Sequence, residues 1–405
     1  MTMTGLFDPA RHEPLAAPDW DEGAARAAMQ RIVDSALAEY SPGQGWLAHP
    51  LDDPESPTDR CHNLYFGGGG VVWALRHLAL AGAIGPLPDF SAFVTTLVDL
   101  NRPALQDSQH GSASYLIGEV GLDLLHWSMQ PDAALAQRLH DAIHANLHNP
   151  VREALWGNPG TVLAAIHLAE ATGEARWQAL VQEAAEALLA EMEIDADTGT
   201  WSWVQNLYGR PPVRYLGGGH GFVGNVYPML RGAALLPAGL VALVTERALQ
   251  TLQATALRAD GGANWFPGID PGRPAGTLPL VQDCHGAPGV ICRLAAAPRT
   301  PAWDSPLLAA GELTWHAGPL AKGASICHGT AGSGLAMLKL WRRSGETLWL
   351  ARARALAMHA AGQVERHRQQ YGCGRHSLWT GDLGAACLLW NGIVQDDAFP
   401  TLDVF

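Results

Sequence analysis

The chain has 405 residues, enough for two average domains or one large closed architecture, and with 48% of them hydrophobic there is ample material for a sizeable core. Lys and Arg number 26 against 39 Asp and Glu, so the formal charge is 26 − 39 = −13, and a field of that sign repels phosphate backbones and anionic lipid. Nucleic acid and membrane surfaces are therefore poor partners, and the absence of a signal-like start, of any run of ~18 apolar residues and of a dense cysteine framework points to a cytoplasmic protein with no membrane span.

Residues 1–20 read as irregular. An amphipathic helix is expected over 22–40, with apolar residues at three- and four-residue steps. The first glycine pair, Gly67/Gly70, then opens a segment that is apolar nearly all round, VVWALRHLAL. The same pairing recurs at Gly118/Gly121, Gly157/Gly160, Gly221/Gly224, Gly286/Gly289, Gly329/Gly332 and Gly381/Gly384, each followed by an apolar helical segment. Between them lie further amphipathic segments at 132–147, 174–193, 243–259 and 346–367. A helix without a polar face must be covered by protein on most sides, whereas the amphipathic segments keep one face wet.

Seven buried helices alternating with outer ones predict an all-α fold, an α/α toroid with seven inner and seven outer helices. An open stack would need polar terminal repeats, and the last repeat is as apolar as the others. No segment reads as a flexible linker, so residues 1–405 are expected to form one domain. LPDF near residue 90, the 206–219 segment and the Gly/Pro-rich 261–277 segment are the expected insertions.

Aligning the repeats on their first glycine exposes the unusual positions. Immediately before that glycine stand Phe66, Ile117, Trp156, His220, His285, His328 and Thr380; one step earlier stand Tyr65, Leu116, Leu155, Gly219, Cys284, Cys327 and Trp379. Two Cys-His-Gly triplets thus fall in register. Thiolate plus imidazole is the donor set that Zn²⁺ prefers, and three protein ligands leave a fourth position for water or a thiol. Cys284, Cys327 and one or two histidines supply such a set, and spacing alone leaves His285 and His328 equivalent. His220, in the preceding repeat, is the candidate proton donor and acceptor. Single Cys and His residues in the apolar segments (Cys292, Cys387, His77, His126, His167) read as core. Paired carboxylates of the kind that glycosidases use are missing from these turns.

The stretches CHGAPGV (284–290), CHGTAG (327–332), HGFVG (220–224) and SLWTGDLG (377–384) resemble the lanthionine synthetase cyclase-like family. The resemblance implies an α/α toroid holding one zinc ion through Cys284, Cys327 and His328, with His220 as the acid/base and His285 beside the metal. It also implies an activity: zinc-dependent addition of a Cys thiol to dehydroalanine or dehydrobutyrine in a peptide, forming a thioether. The expected partner is then a dehydrated peptide or protein made by a separate dehydratase. KGASICHG, with Lys322, and the CHGAPGV motif look more like the eukaryotic-type branch, in which glutathione or another small thiol is the nucleophile; Lys322 would pair with its thiol or carboxylate. A non-catalytic zinc- or thiol-binding scaffold is the remaining alternative. Asp283 departs from the family's usual Trp, and its carboxylate is expected to orient His285 or bind an amine. Glu119 and Asp382, at the helix starts of two other repeats, read as charges that stabilise helix dipoles in preference to carboxylates facing the mouth of the ring.

Overall fold

A computed structural model describes residues 2–405 apart from Ala17, Asp107, Tyr208, Asp270 and Pro271. Tyr208, Asp270 and Pro271 belong to the two insertions expected at 206–219 and 261–277, and those three positions lie outside the described residues. In chain order the helices begin with α1 (Glu22–Ala38), α2 (Gly68–Leu80), α3 (Ser91–Val94), α4 (Leu97–Leu105), α5 (Glu119–Met129), α6 (Ala133–Ala145), α7 (Asn158–Thr172) and α8 (Ala175–Ala190). A hairpin of β1 (Glu193–Asp195) and β2 (Thr200–Ser202) precedes α9 (Phe222–Arg231) and α10 (Ala238–Thr255). A second, of β3 (Leu257–Ala259) and β4 (Gly262–Asn264), precedes α11 (Ala287–Leu294), α12 (Pro301–Ala317), α13 (Thr330–Ser344), α14 (Thr347–Tyr371) and α15 (Asp382–Val394).

Each glycine pair opens the helix expected of it. Gly67, Gly118, Gly157, Gly221, Gly286, Gly329 and Gly381 are the N-cap residues of α2, α5, α7, α9, α11, α13 and α15. The second glycine of a pair is there for lack of space. A Cβ on Gly70 would lie 2.1 Å from the Leu64 carbonyl oxygen, on Gly160 2.1 Å from that of Ala154, and on Gly289 1.8 Å from that of Asp283. These helices are buried as their composition requires: every residue of α7 from Asn158 to Ala169 is buried, as is every residue of α13 from Thr330 to Leu340. Cys292, Cys387 and His167 are buried with them, while His77 and His126 are half-buried.

The chain divides into two compact units. The first comprises Met1–Ala10, Ser108–Tyr115 and Ala133–Ala317. In it α7 packs on α9 and α9 on α11, and amphipathic helices back them: α6 and α8 against α7, α10 against α9, α12 against α11. The second comprises Arg11–Asp107, Leu116–Asp132 and Gly318–Phe405. There α13, α15, α2 and α5 pack in succession, backed by α14, α1 and the α3–α4 pair. Seven outer helices were expected but no segment was assigned to α3, α4 or α12, and the two hairpins were not expected. Among the described residues no helix is long and apolar enough to cross a membrane.

Candidate active site

The turns before the glycine-capped helices are tied together through their backbones. In the second unit the Cys327 N–H donates to the Trp379 carbonyl (2.9 Å), Trp379 to Tyr65 (3.0 Å) and Tyr65 to Leu116 (3.0 Å). In the first unit the Gly219 N–H donates to the Cys284 carbonyl at 3.1 Å. All of these residues stand two before the first glycine of their repeat, so the sequence alignment reappears as a relay of main-chain hydrogen bonds.

In the first unit, Gly217–Gly219 bring the turn before α9 against the turn before α11. A Cβ on Gly217 would lie 2.2 Å from the Cys284 carbonyl oxygen and 2.7 Å from His285 Nδ1, an approach that only glycine permits. His220 thereby comes beside the Cys284–His285 pair; its ring centroid is 5.9 Å from that of His285, with an interplanar angle of 28°. Its Nδ1 faces Glu153 Oε2 at 2.7 Å. Glu153 is fully buried and accepts the N–H groups of Leu155 (3.1 Å) and Trp156 (2.6 Å) as well. With Nδ1–H donating to the carboxylate, the other ring nitrogen, Nε2, is the one left for chemistry. Burial opposes the charged imidazolium, but the Glu153 hydrogen bond and negative charge outweigh it, so the His220 pKa is raised from its ordinary value. His285 moves the other way, down to about 4, because burial and then the neighbouring His220 charge both disfavour protonation. Its Nδ1 is buried without a hydrogen-bond partner.

Cys284 is buried and its Sγ accepts a hydrogen bond from Gln282 Nε2 at 2.9 Å. Asp283 points away from this chemistry. Its two carboxylate oxygens pair with Arg293 of α11 at 3.2 and 2.8 Å, and both side chains are almost wholly buried. Burial raises the Asp283 pKa while Arg293 pulls against the rise. The carboxylate is thus engaged by Arg293 instead of orienting His285 or waiting for an amine. Removing it would strand a guanidinium in the core, so Asp283→Ala is expected to cost about 3–5 kcal/mol of stability by denaturant unfolding. A loss below about 1 kcal/mol would show that water reaches Arg293.

In the second unit, Cys327 is buried and its Sγ accepts a hydrogen bond from the Tyr65 hydroxyl at 2.6 Å. His328 is half-buried, and its pKa falls to about 4 through burial, then the positive charges of Lys322 and Arg375. Lys322 itself is exposed. The expected dipole carboxylates are in place: Glu119 opens α5 and lies 3.5 Å from Arg102 Nε, and Asp382 opens α15 and accepts the Arg375 N–H at 3.0 Å.

The structure therefore gathers His220, Cys284 and His285 in the first unit, with Asp283 turned inward behind them. Cys327, His328 and Lys322 belong to the second. Among the described residues no group of three or more His, Cys, Asp or Glu side chains stands close enough to hold a metal ion. The donor types nevertheless fit zinc. Each of the two sulfurs receives an N–H or O–H donor, which suits a thiolate, and His328 is held neutral, as a ligand must be. Glu153, Tyr65 and Gln282 were missed as site residues. Glu153 and Gln282 share a register position four residues before the first glycine, where the other repeats carry Asn63, Ser114, Gly217, Ser325 and Ser377. Asn63 accepts the N–H groups of Tyr65 and Phe66 just as Glu153 accepts those of Leu155 and Trp156. A charged residue in that otherwise neutral column was the available signal.

Comparison with known proteins agrees with this architecture. The family model described as lanthionine synthetase C-like protein matches residues 122–404. LanC-like protein GCL1 of Arabidopsis thaliana is 32% identical over 134 residues, covering 31% of this chain and 30% of that protein. Glutathione S-transferase LANCL1 of Danio rerio is 31% identical over 147 residues, covering 34% and 33%. The aligned stretches thus span about a third of these relatives. Among solved structures, nisin cyclase superposes with a TM-score of 0.62 at 12% identity, over 93% of this chain and 98% of that one. At that identity the likeness concerns the fold, and the all-α toroid class expected from the repeats is the class that the two share. The chain belongs to the lanthionine synthetase C-like family.

Proposed function

We propose that this protein forms thioethers by zinc-dependent addition of a thiol to a dehydrated Ser or Thr in a peptide. The observation that carries the reading is the His220–Glu153 pair set beside Cys284, because a scaffold that merely bound a thiol would have no use for a buried carboxylate aligning an imidazole. Cys284, Cys327 and His328 are the proposed ligands of one zinc per chain. When bound, zinc supplies one thing: it keeps a coordinated thiol deprotonated near neutral pH.

The remaining steps belong to the chain's own residues. The thiolate sulfur attacks Cβ of dehydroalanine or dehydrobutyrine, the C–S bond forms, and the π electrons move onto the adjacent carbonyl as an enolate. His220 delivers a proton from Nε2 to Cα, and Glu153 steadies the imidazolium through Nδ1. Neutral His285, unable to compete for that proton, lies in the neighbouring turn before α11. The dehydroamino acid comes from a separate dehydratase, and the two compact units act as one domain in the cytoplasm. When the thiol and the acceptor sit on one peptide the product is a ring, as in lantibiotic biosynthesis. A second reading, addition of glutathione or a similar small thiol, is favoured by exposed Lys322 near His328 and by the name of the zebrafish relative.

Zinc content is the test. The purified protein is expected to carry about one zinc, and Cys284→Ala, Cys327→Ala and His328→Ala each to lose it, because three ligands are the minimum for such a site. Zinc retained by any of these variants would remove that residue from the ligand set, and little zinc in the unaltered protein would end the mechanism.

A further inference from the structure

Tyr65 has more support than a turn residue needs. Its N–H donates to the Leu116 carbonyl and also faces Asn63 Oδ1 (3.1 Å), while its own carbonyl accepts from Trp379. Its ring stacks on Trp379, with centroids 5.7 Å apart and an interplanar angle of 24°. Trp379 is fixed in turn, its indole N–H donating to Thr401 Oγ1 at 3.1 Å in the C-terminal segment. That segment is tied down by Lys339, whose ammonium lies 2.9 Å from Asp397 and 2.6 Å from Asp403. The phenol is therefore held from both its backbone and its ring face, and its hydroxyl ends 2.6 Å from Cys327 Sγ.

We propose that Tyr65 is a positioning residue for Cys327, fixing the direction of Sγ and drawing negative charge from it through an O–H···S hydrogen bond. The proposal rests on the reading of Cys327 as a metal ligand. Gln282 makes the corresponding contact to Cys284, so each of the two sulfurs carries a donor from its own unit. Donors at coordinating thiolates orient the ligand and reduce the charge that it passes to the metal. Exchange stability would follow from the fixed orientation of Sγ, and a bound substrate thiol acidic enough to react from the damped charge.

Tyr65→Phe removes one oxygen and keeps the ring on Trp379. It is examined as the cobalt(II)-substituted and the zinc-loaded full-length protein, beside the unaltered protein and Cys327→Ala. The thiolate-to-cobalt charge-transfer band is expected to move to longer wavelength in Tyr65→Phe, since a sulfur relieved of its donor is easier to oxidise. Zinc affinity, measured against a competing chelator, is expected to fall about 10-fold or more, with the melting temperature of the metal-free protein unchanged. A band that stays in place with affinity within about twofold would overturn the role of Tyr65 while leaving the metal site intact. Cobalt bound equally well by Cys327→Ala, or not bound by the unaltered protein, would overturn the ligand assignment itself and this role with it.

Discussion

Glu153→Gln is expected to lower the rate of thiol addition by about 10²- to 10⁴-fold while leaving zinc bound, which is the range that a well-placed general acid–base contributes. The substituted amide still offers an oxygen to the Leu155 and Trp156 N–H groups, so the turn before α7 keeps its shape. What disappears is the negative charge facing His220 Nδ1. Burial of the imidazole remains, and without the opposing carboxylate it lowers the His220 pKa. The alkaline limb of the pH–rate profile is thus expected to move to lower pH, because the protonated ring that donates to Cα is lost earlier as pH rises. His220→Ala should fall at least as far with no such limb remaining. Activity within about threefold in Glu153→Gln, zinc intact, would remove the pair from the chemistry and leave it a structural contact.

Gly286→Ala carries the largest expected effect on the fold. Gly286 caps α11 at φ 116° and ψ −168°, a region that essentially only glycine occupies. A Cβ there would also lie 2.0 Å from the Leu280 carbonyl oxygen and 3.2 Å from Asn264 Oδ1. That asparagine serves α11 from a distance: Oδ1 accepts the Ala287 N–H (2.9 Å), and Nδ2 donates to the carbonyls of Leu6 (2.8 Å) and Leu280 (3.0 Å). No small rotation of Gly286 relieves both collisions without breaking this cap. Destabilisation of about 3 kcal/mol or more is expected in denaturant melts, with zinc content falling as Cys284 and His285, two and one residues away, are displaced. A melt indistinguishable from that of the unaltered protein would show that the turn before α11 can be rebuilt.

The same glycine marks the limit of what spacing could say about the two Cys-His-Gly triplets. In register they are interchangeable, yet Gly329 lies at φ −133°, in extended backbone, where Gly286 does not. His285 ends with a buried Nδ1 against Gly217, while His328 lies half-exposed near Lys322 and Arg375. Periodicity carried the seven glycine-capped helices because each is apolar around most of its circumference and begins at a glycine. It failed at α12, whose segment PAWDSPLLAAGELTWHA includes Pro306 and shows no clean stripe, and at α3 and α4, which are short and hold Pro103. The partners of His220 and Cys327 were hidden for a different reason. Glu153 lies 67 positions from His220 and Tyr65 lies 262 from Cys327, so no local pattern links them.

The relay through Cys327, Trp379, Tyr65 and Leu116 uses only peptide groups, so those main-chain hydrogen bonds do not depend on which side chains the positions carry. A thiol, an indole, a phenol and an isobutyl group occupy equivalent sockets on the same main-chain frame. Natural variation can therefore exchange one for another without rewriting the fold, which makes the frame a rack on which chemistries are tried. A lineage could lose a thiol, or acquire a different nucleophile, through one or two codons in these sockets while its helices stayed as they are.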